Sequence, residues 1–290
     1  MPREPADRRT LPVSVKPLPG EAVNSWLAAM ARHLDLPWAS FLGFILPPQN
    51  RTECHRLCQR DLTGYLTAWE LAAISAATGV QAEAIVAMTL AGSAAAATSG
   101  ATPPGRKNAQ WPFGRSRFCP KCLQTSGGRW QLQWRLPWIC ACATHTCLLS
   151  DTCPACGQLQ RTAGHWLIGA HVPTPERCSA PAPNGQCCGA PLSEASTLPL
   201  PAGHRFLENQ AQLSEILTGT TVKIGLYQRA PVSTAQFLAD LRLLTFRTAE
   251  TMDHESLLSV LDSASSEATL VEWHNDEQRC LTRLSESAQS

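Results

Sequence analysis

Acidic residues are missing from the middle of this 290-residue chain: residues 84–150 contain no Asp or Glu. That absence removes the clustered carboxylates on which two-metal nuclease chemistry depends. The stretch still holds Arg106, Lys107, Arg115, Arg117, Lys121, Arg129 and Arg135. A local field of one sign favours polyanions, so these seven are candidate DNA contacts. Charge as a whole is scarce, 16% of residues with a net of +1, and bulk charge therefore points to no partner. Residues 1–19 lack the apolar run of a secretory signal, so a cytoplasmic protein is expected. The uncharged segment 84–105 turns into Ala, Gly, Ser, Thr and Pro in its second half, too poor in large apolar residues to span a bilayer. There is no P-loop pattern and hence no intrinsic ATPase. A zinc deaminase is excluded as well: His254 and Glu255 are adjacent rather than spaced, and Thr152 stands where that signature needs proline. No catalytic residue is expected.

Cysteine, in contrast, is abundant: thirteen residues, most of them in short pairs between Cys119 and Cys188. In a cytoplasmic setting such pairs point to metal rather than to disulfides. Zinc takes four N/S ligands in a tetrahedron, usually delivered as two short knuckles from separate parts of the chain. The first set is Cys119-x2-Cys122 with Cys142-x2-His145, and nineteen residues separate Cys122 from Cys142. Cys140 is the rival third ligand; Cys142 is preferred because Cys-x2-His repeats the knuckle spacing. Cys147 then reads as a small buried hydrophobe. The second set is Cys153-x2-Cys156, Cys178, and either Cys187 or Cys188. Cys188 is preferred because Gly189 follows it as Gly157 follows Cys156. Pro120 and Pro154 lie inside the two Cys-x2-Cys pairs and suit tight turns. Four protein ligands leave no open position for a reactive water, so the expectation is two structural Zn²⁺ ions.

Around this region the spacing of apolar residues predicts helices. Val23, Leu27, Met30 and Leu34 share one helical face. Trp38, Phe41, Leu42 and Ile45 share another, with Pro37 at its start and Pro47-Pro48 past its end. Thr67-x-x-Glu70 is a capping box opening a helix that Gly79 closes, and a further helix is expected over residues 81–90 with Val80, Ile85 and Met88 inward. Helix, glycine turn, helix is the form of a helix-turn-helix, and equally of a plain helical hairpin. The second helix carries Glu83 and no Lys or Arg, which counts against base reading. Farther on, Phe206, Gln210, Leu213 and Leu217 form a stripe ended by Gly219. Ser233-x-x-Gln236 caps a helix with Phe237, Leu238, Leu241 and Leu244 inside, and short helices are expected over residues 255–261 and 268–273. Trp130, Trp134 and Trp138 read either as the core of a small metal module or as a base-stacking surface beside Arg129 and Arg135.

The expected fold is mainly α with small zinc-ribbon modules. Its parts are an N-terminal helix-turn-helix-like domain (1–90), a linker (91–110), a tandem zinc-binding region (111–198), a C-terminal helical domain (199–275) and a tail (276–290).

The chain resembles the TniQ family, the TnsD-related target-selection proteins of bacterial transposons. The resemblance rests on the run from Leu11 through Pro19, Gly20, Glu21 and Ser25 to Trp26 and Leu27, then on Thr78-Gly79-Val80 with Met88-Thr89-Leu90. Its strongest part is Phe118, Cys119, Pro120, Cys122, Trp130, Trp134, Trp138, His145, Leu148, Asp151, Cys153, Cys156 and Gly157. Together these cover roughly residues 11–192. The resemblance implies a non-catalytic adaptor of helix-turn-helix and zinc-ribbon parts that helps choose an insertion site. Its implied partners are DNA, the transposon's AAA+ ATPase of the TniB/TnsC kind, a CRISPR effector complex in some relatives, and a second copy of itself. A free-standing zinc-containing transcriptional regulator and a protein–protein scaffold without DNA contact are the competing readings.

Overall fold

The computed structural model describes residues 11–46, 61–92, 116–136, 138–161, 171–182, 186–219 and 221–251. Among these the chain forms seven α-helices, short 3₁₀ turns and two two-stranded antiparallel ribbons. Helix α1 spans Val23–His33 and α2 spans Trp38–Ile45. Their predicted faces are buried: Val23, Leu27 and Met30 on α1, and Trp38, Phe41, Leu42 and Ile45 on α2. Pro37 is the N-cap residue of α2. It leaves Trp38 N–H free to donate to the carbonyl of His171 at 3.0 Å.

Helix α3 (Ala68–Thr78) opens on the capping box read from the sequence. The Thr67 hydroxyl accepts from Glu70 N–H, the Glu70 carboxylate accepts from Thr67 N–H, and Gly79 closes the helix in the left-handed region. Helix α4 is shorter than expected, Ala82–Ala87 in place of residues 81–90. A 3₁₀ turn at Leu90–Gly92 follows it. The chain bends there because Leu90 and Ala91 donate to the carbonyls of Thr63 and Gly64 instead of continuing the helix. Ile85 and Met88 remain buried, as their spacing requires. These four helices enclose one core around Trp26, Phe41, Leu62 and Ile74.

The second core lies in the cysteine-rich half. Helix α5 (Pro120–Ser126) leads into a 3₁₀ turn at Leu132–Arg135. Strands β1 (Ala141–Cys142) and β2 (Cys147–Leu148) form a hairpin in which Cys142 faces Cys147. Phe118, Trp130, Trp134 and Leu192 are buried here, together with Leu238 from the C-terminal region. That region contributes α6 (Arg205–Thr218), the ribbon β3 (Thr221–Val222) and β4 (Val232–Ser233), and α7 (Thr234–Thr251). Gly219 caps α6 and the Ser233 hydroxyl accepts from Gln236 N–H, both as the sequence indicated. Leu213, Leu217 and Phe237 pack against the cysteine-rich core. Leu244 departs from expectation: it is 61% exposed, because α7 is anchored through Leu238 and runs on beyond the core. The helices expected over 255–261 and 268–273 lie outside the described residues, as does most of the expected linker. No helix among the described residues is long and apolar enough to cross a membrane.

The two cores are laced together by backbone. Ala22 N–H donates to the Trp130 carbonyl and Leu132 N–H to the Gly20 carbonyl. Ser25 Oγ accepts from Trp130 N–H at 2.7 Å, and Glu21 pairs with Gln131 across an isolated β-bridge. Gly20 has φ +70° and packs so closely that a Cβ would lie 2.8 Å from Gln131 Oε1. Gly128 has φ +88°, with the Glu176 backbone 2.9 Å from where its Cβ would be.

Candidate metal centres

The first cysteine pair sits at a helix start, not in the tight turn expected. Cys119 is the N-cap residue of α5, Pro120 takes the first helical position, and Cys122 lies three residues past the cap. Proline fits there because that N–H has no intrahelical acceptor. N-cap and third-position side chains meet on one side of a helix start, the relation that Thr67 and Glu70 use in α3. Cys142 comes from β1, and His145 from the turn before β2. Thr146 closes that turn with φ +45°.

These four side chains converge. His145 Nδ1 is 3.4 Å from Cys119 Sγ, 3.2 Å from Cys122 Sγ and 3.6 Å from Cys142 Sγ, and Cys122 Sγ is 3.6 Å from Cys142 Sγ. A tetrahedral ion with bonds of the length zinc makes has S···S edges of about 3.8 Å and S···N edges of about 3.5 Å. A disulfide would bring sulfurs to about 2.05 Å, and none of the ten described cysteines is in one.

The second quartet is Cys153, Cys156, Cys178 and Cys188, with all donor atoms within 4.8 Å of one another. Cys153 Sγ is 3.8 Å from Cys188 Sγ, and Cys156 Sγ is 3.7 Å from Cys178 Sγ, again the tetrahedral edge. Each knuckle ends on a left-handed glycine, Gly157 at φ +66° and Gly189 at +70°. Gly157 N–H donates to the Cys153 carbonyl and Gly189 N–H to the Cys178 carbonyl. The structure thus brings together both quartets read from the sequence, with Cys142 and Cys188 in place and Cys140 and Cys187 outside. Each set of donors fits one four-coordinate metal ion.

Crowding perturbs these thiols. Hydrogen bonds from Cys119 and Cys122 hold Cys142 far below the ordinary thiol range, against the cost of its burial. At Cys122 the Cys119 hydrogen bond pulls down. Contact with Cys142, burial and nearby negative charge outweigh it and push the thiol up to about 11. Burial is the main cause raising Cys178, to about 12. A set of thiols that cannot all ionise side by side is one that a dication would resolve. Cys147, expected to be only a buried hydrophobe, is buried but chemically engaged. Its hydrogen bond with Cys119 holds it at about 6. Its cross-strand pairing with Cys142 was invisible from spacing alone.

The candidate DNA contacts fare differently. Arg106, Lys107 and Arg115 lie outside the described residues. Lys121 is exposed on α5. Arg117 is half-buried and donates to the Ile139 carbonyl. Arg129 and Arg135 require correction, because both face inward. Arg129 grips the fully buried Glu21 through two hydrogen bonds, and Glu21 also accepts from Leu18 N–H and Ser25 Oγ. Arg135 is buried against Asp61, which also accepts from Asn24 and from Thr63 N–H. Trp130 and Trp134 are 3% exposed and stack edge to face, so they are core and offer no platform for bases. Sequence reasoning had assigned Glu21 no such role, since its partner Arg129 lies 108 residues away.

Residues 12–149 match the family model of TniQ. These residues, a little under half of the chain, form a TniQ domain. A search of curated proteins finds no match. The matched region contains the whole first quartet and the Glu21–Arg129 pair, and it stops just before the second quartet. The TniQ domain implies a transposition-associated function and association with transposition machinery.

Proposed function

We propose that this protein is a non-catalytic target-selection adaptor in DNA transposition. In this reading two Zn²⁺ ions hold the cysteine-rich half in shape, and the protein engages DNA or a targeting complex while recruiting the transposon's AAA+ ATPase. The observation that carries the proposal is the completeness of both quartets, one inside a TniQ domain and one just after it. Four protein donors at each centre leave no open position for substrate or water, which is the mark of a structural site. Zinc is favoured over other ions by the thiolate-rich, tetrahedral donor sets.

DNA contact in this reading falls to Arg106, Lys107, Arg115, Arg117 and Lys121, with the α3–α4 hairpin as a helix-turn-helix-like unit. Neutralising Arg106, Lys107 and Lys121 together is expected to weaken DNA binding. It should also flatten the dependence of log affinity on log salt, by about 0.9 for each phosphate left without its cation. A salt titration of duplex binding measures both, and an unchanged slope would refute the assignment. The scaffold reading without DNA contact keeps specific support: Arg129 and Arg135 are engaged internally, and α4 presents Glu83 and no basic residue. Co-purification with the ATPase in the absence of DNA separates the two readings.

A further inference from the structure

Cys147 stands beside the first quartet without belonging to it. It is the cross-strand partner of Cys142 in the β1–β2 hairpin. Residues directly opposite in an antiparallel pair leave the same face, with Cβ atoms about 4.5–5.5 Å apart. Cys147 is 4% exposed, and its thiol hydrogen-bonds with that of Cys119 at the start of α5. One ligand sulfur therefore flanks it across the hairpin and a second flanks it from the helix. The Thr197 hydroxyl donates to it as well. The four donors of the quartet all lie within 4.8 Å of one another, and Cys147 is outside that group. Cysteine turns about a single side-chain bond with three staggered positions, so one rotation changes where its sulfur points. Within the quartet His145 is the odd donor, one imidazole among three thiols, and it sits in a turn rather than on a strand or helix.

We propose that Cys147 is an alternate metal ligand of the first centre, replacing His145 to make a four-thiolate state with Cys119, Cys122 and Cys142 that takes soft divalent ions. Soft ions favour thiolate over imidazole, and the exchange turns the first centre into the same donor set as the second. No oxidant or reductant is needed. The Cys147 S–H bond breaks as its sulfur binds, the proton goes to solvent, and His145 leaves as neutral imidazole. The exchange would reach beyond the centre, because the hairpin is tied to the segment that leads into α6. The Thr146 carbonyl accepts from Leu200 N–H, and Leu148 N–H donates to the Leu198 carbonyl. The inference rests on the first quartet holding a metal, as the proposed function has it.

The test loads the full chain with ¹¹³Cd²⁺ and compares ¹¹³Cd resonances of the parent, His145→Ala, Cys147→Ser and the double variant. The second quartet is intact in all four and supplies a fixed four-thiolate reference. The parent and His145→Ala are expected to show the same first-centre resonance, close to that reference. Cys147→Ser should move it upfield, where a nitrogen replaces one thiolate, and the double variant should depart from the four-thiolate position as well. Serine keeps a hydroxyl for the Cys119 sulfur, so a thiol that serves only as a hydrogen-bond donor predicts no such movement. A first-centre resonance that stays in place in Cys147→Ser, or that is lost in His145→Ala, would overturn the proposal. If His145→Ala fails to fold, the parent against Cys147→Ser still decides it. A parent chain with no first-centre resonance would overturn the metal reading and this inference with it.

Discussion

Cys187 and Cys188 are neighbours in the chain with opposite surroundings. The Cys188 sulfur lies 3.8 Å from that of Cys153, inside the second quartet. Cys187 is half-buried and outside that quartet, and burial raises its thiol. Elemental analysis of purified protein is therefore expected to give two metal equivalents for Cys187→Ser and one for Cys188→Ser. Equal losses from both variants would mean the ligand assignment is wrong. The same contrast separates Cys142 from Cys140. In each case the choice was legible in the sequence, because knuckle spacing and the glycine after the second cysteine are local geometry. Cys147 and Glu21 were not legible: what they do depends on a strand partner and on an arginine 108 residues away.

At the scale of elements, the helices that sequence periodicity revealed are those whose boundaries are local. The Thr67–Glu70 capping box, the Gly79 cap and the stripes of α1, α2 and α6 needed no distant partner. The parts that escaped were set by tertiary contacts. Helix α5 has seven residues, too few to be stable alone, and forms where two sulfurs must converge. The Trp130–Trp138 segment carries helix-like and strand-like spacing at once, and its shape is decided by the hydrogen bonds it exchanges with residues 20–25. Gly20 is the hinge of that exchange. Gly20→Ala would force a Cβ into the left-handed region and onto Gln131. It is expected to cost about 1–3 kcal/mol, the range for a strained or overpacked position. Chemical denaturation of the metal-loaded protein would register this as a lower midpoint. A midpoint equal to that of the parent chain would show that the junction yields.

At the scale of the whole molecule, among the described residues the core of α1 to α4 contains no candidate metal ligand, whereas the cysteine-rich core holds both quartets and the anchor of α7. Structural zinc contributes about 10–16 kcal/mol per site, as much as the whole stability of a domain. Chelation, or Cys122→Ser at the first centre, is expected to abolish hydrogen-exchange protection in β1–β2, α6 and α7 together, while α1 to α3 keep theirs. Protection in α7 that survives strong chelator would show that Leu238 does not depend on the metals. Acid should act in the same direction as chelator. Without an ion, Cys122 and Cys178 keep their protons to about 11 and about 12, above the ordinary thiol value of 9.0. By themselves these groups favour the metal-free fold below pH 9 and lose that contribution as pH rises through their folded values. Metal reverses the sign, since each ligand must shed its proton to bind, so affinity grows with pH and acidification releases the ions.

Gly128 lets two loops from distant stretches of chain touch main chain to main chain. It follows the helix that supplies Cys119 and Cys122, and the Glu176 backbone it meets lies two residues before Cys178. The gauge between the two quartets is therefore kept by a residue with no side chain, acting as a shim of zero thickness. Any larger residue there would wedge the centres apart while leaving every ligand intact, so a variant could carry its full complement of metal and still present its partners with a misaligned surface.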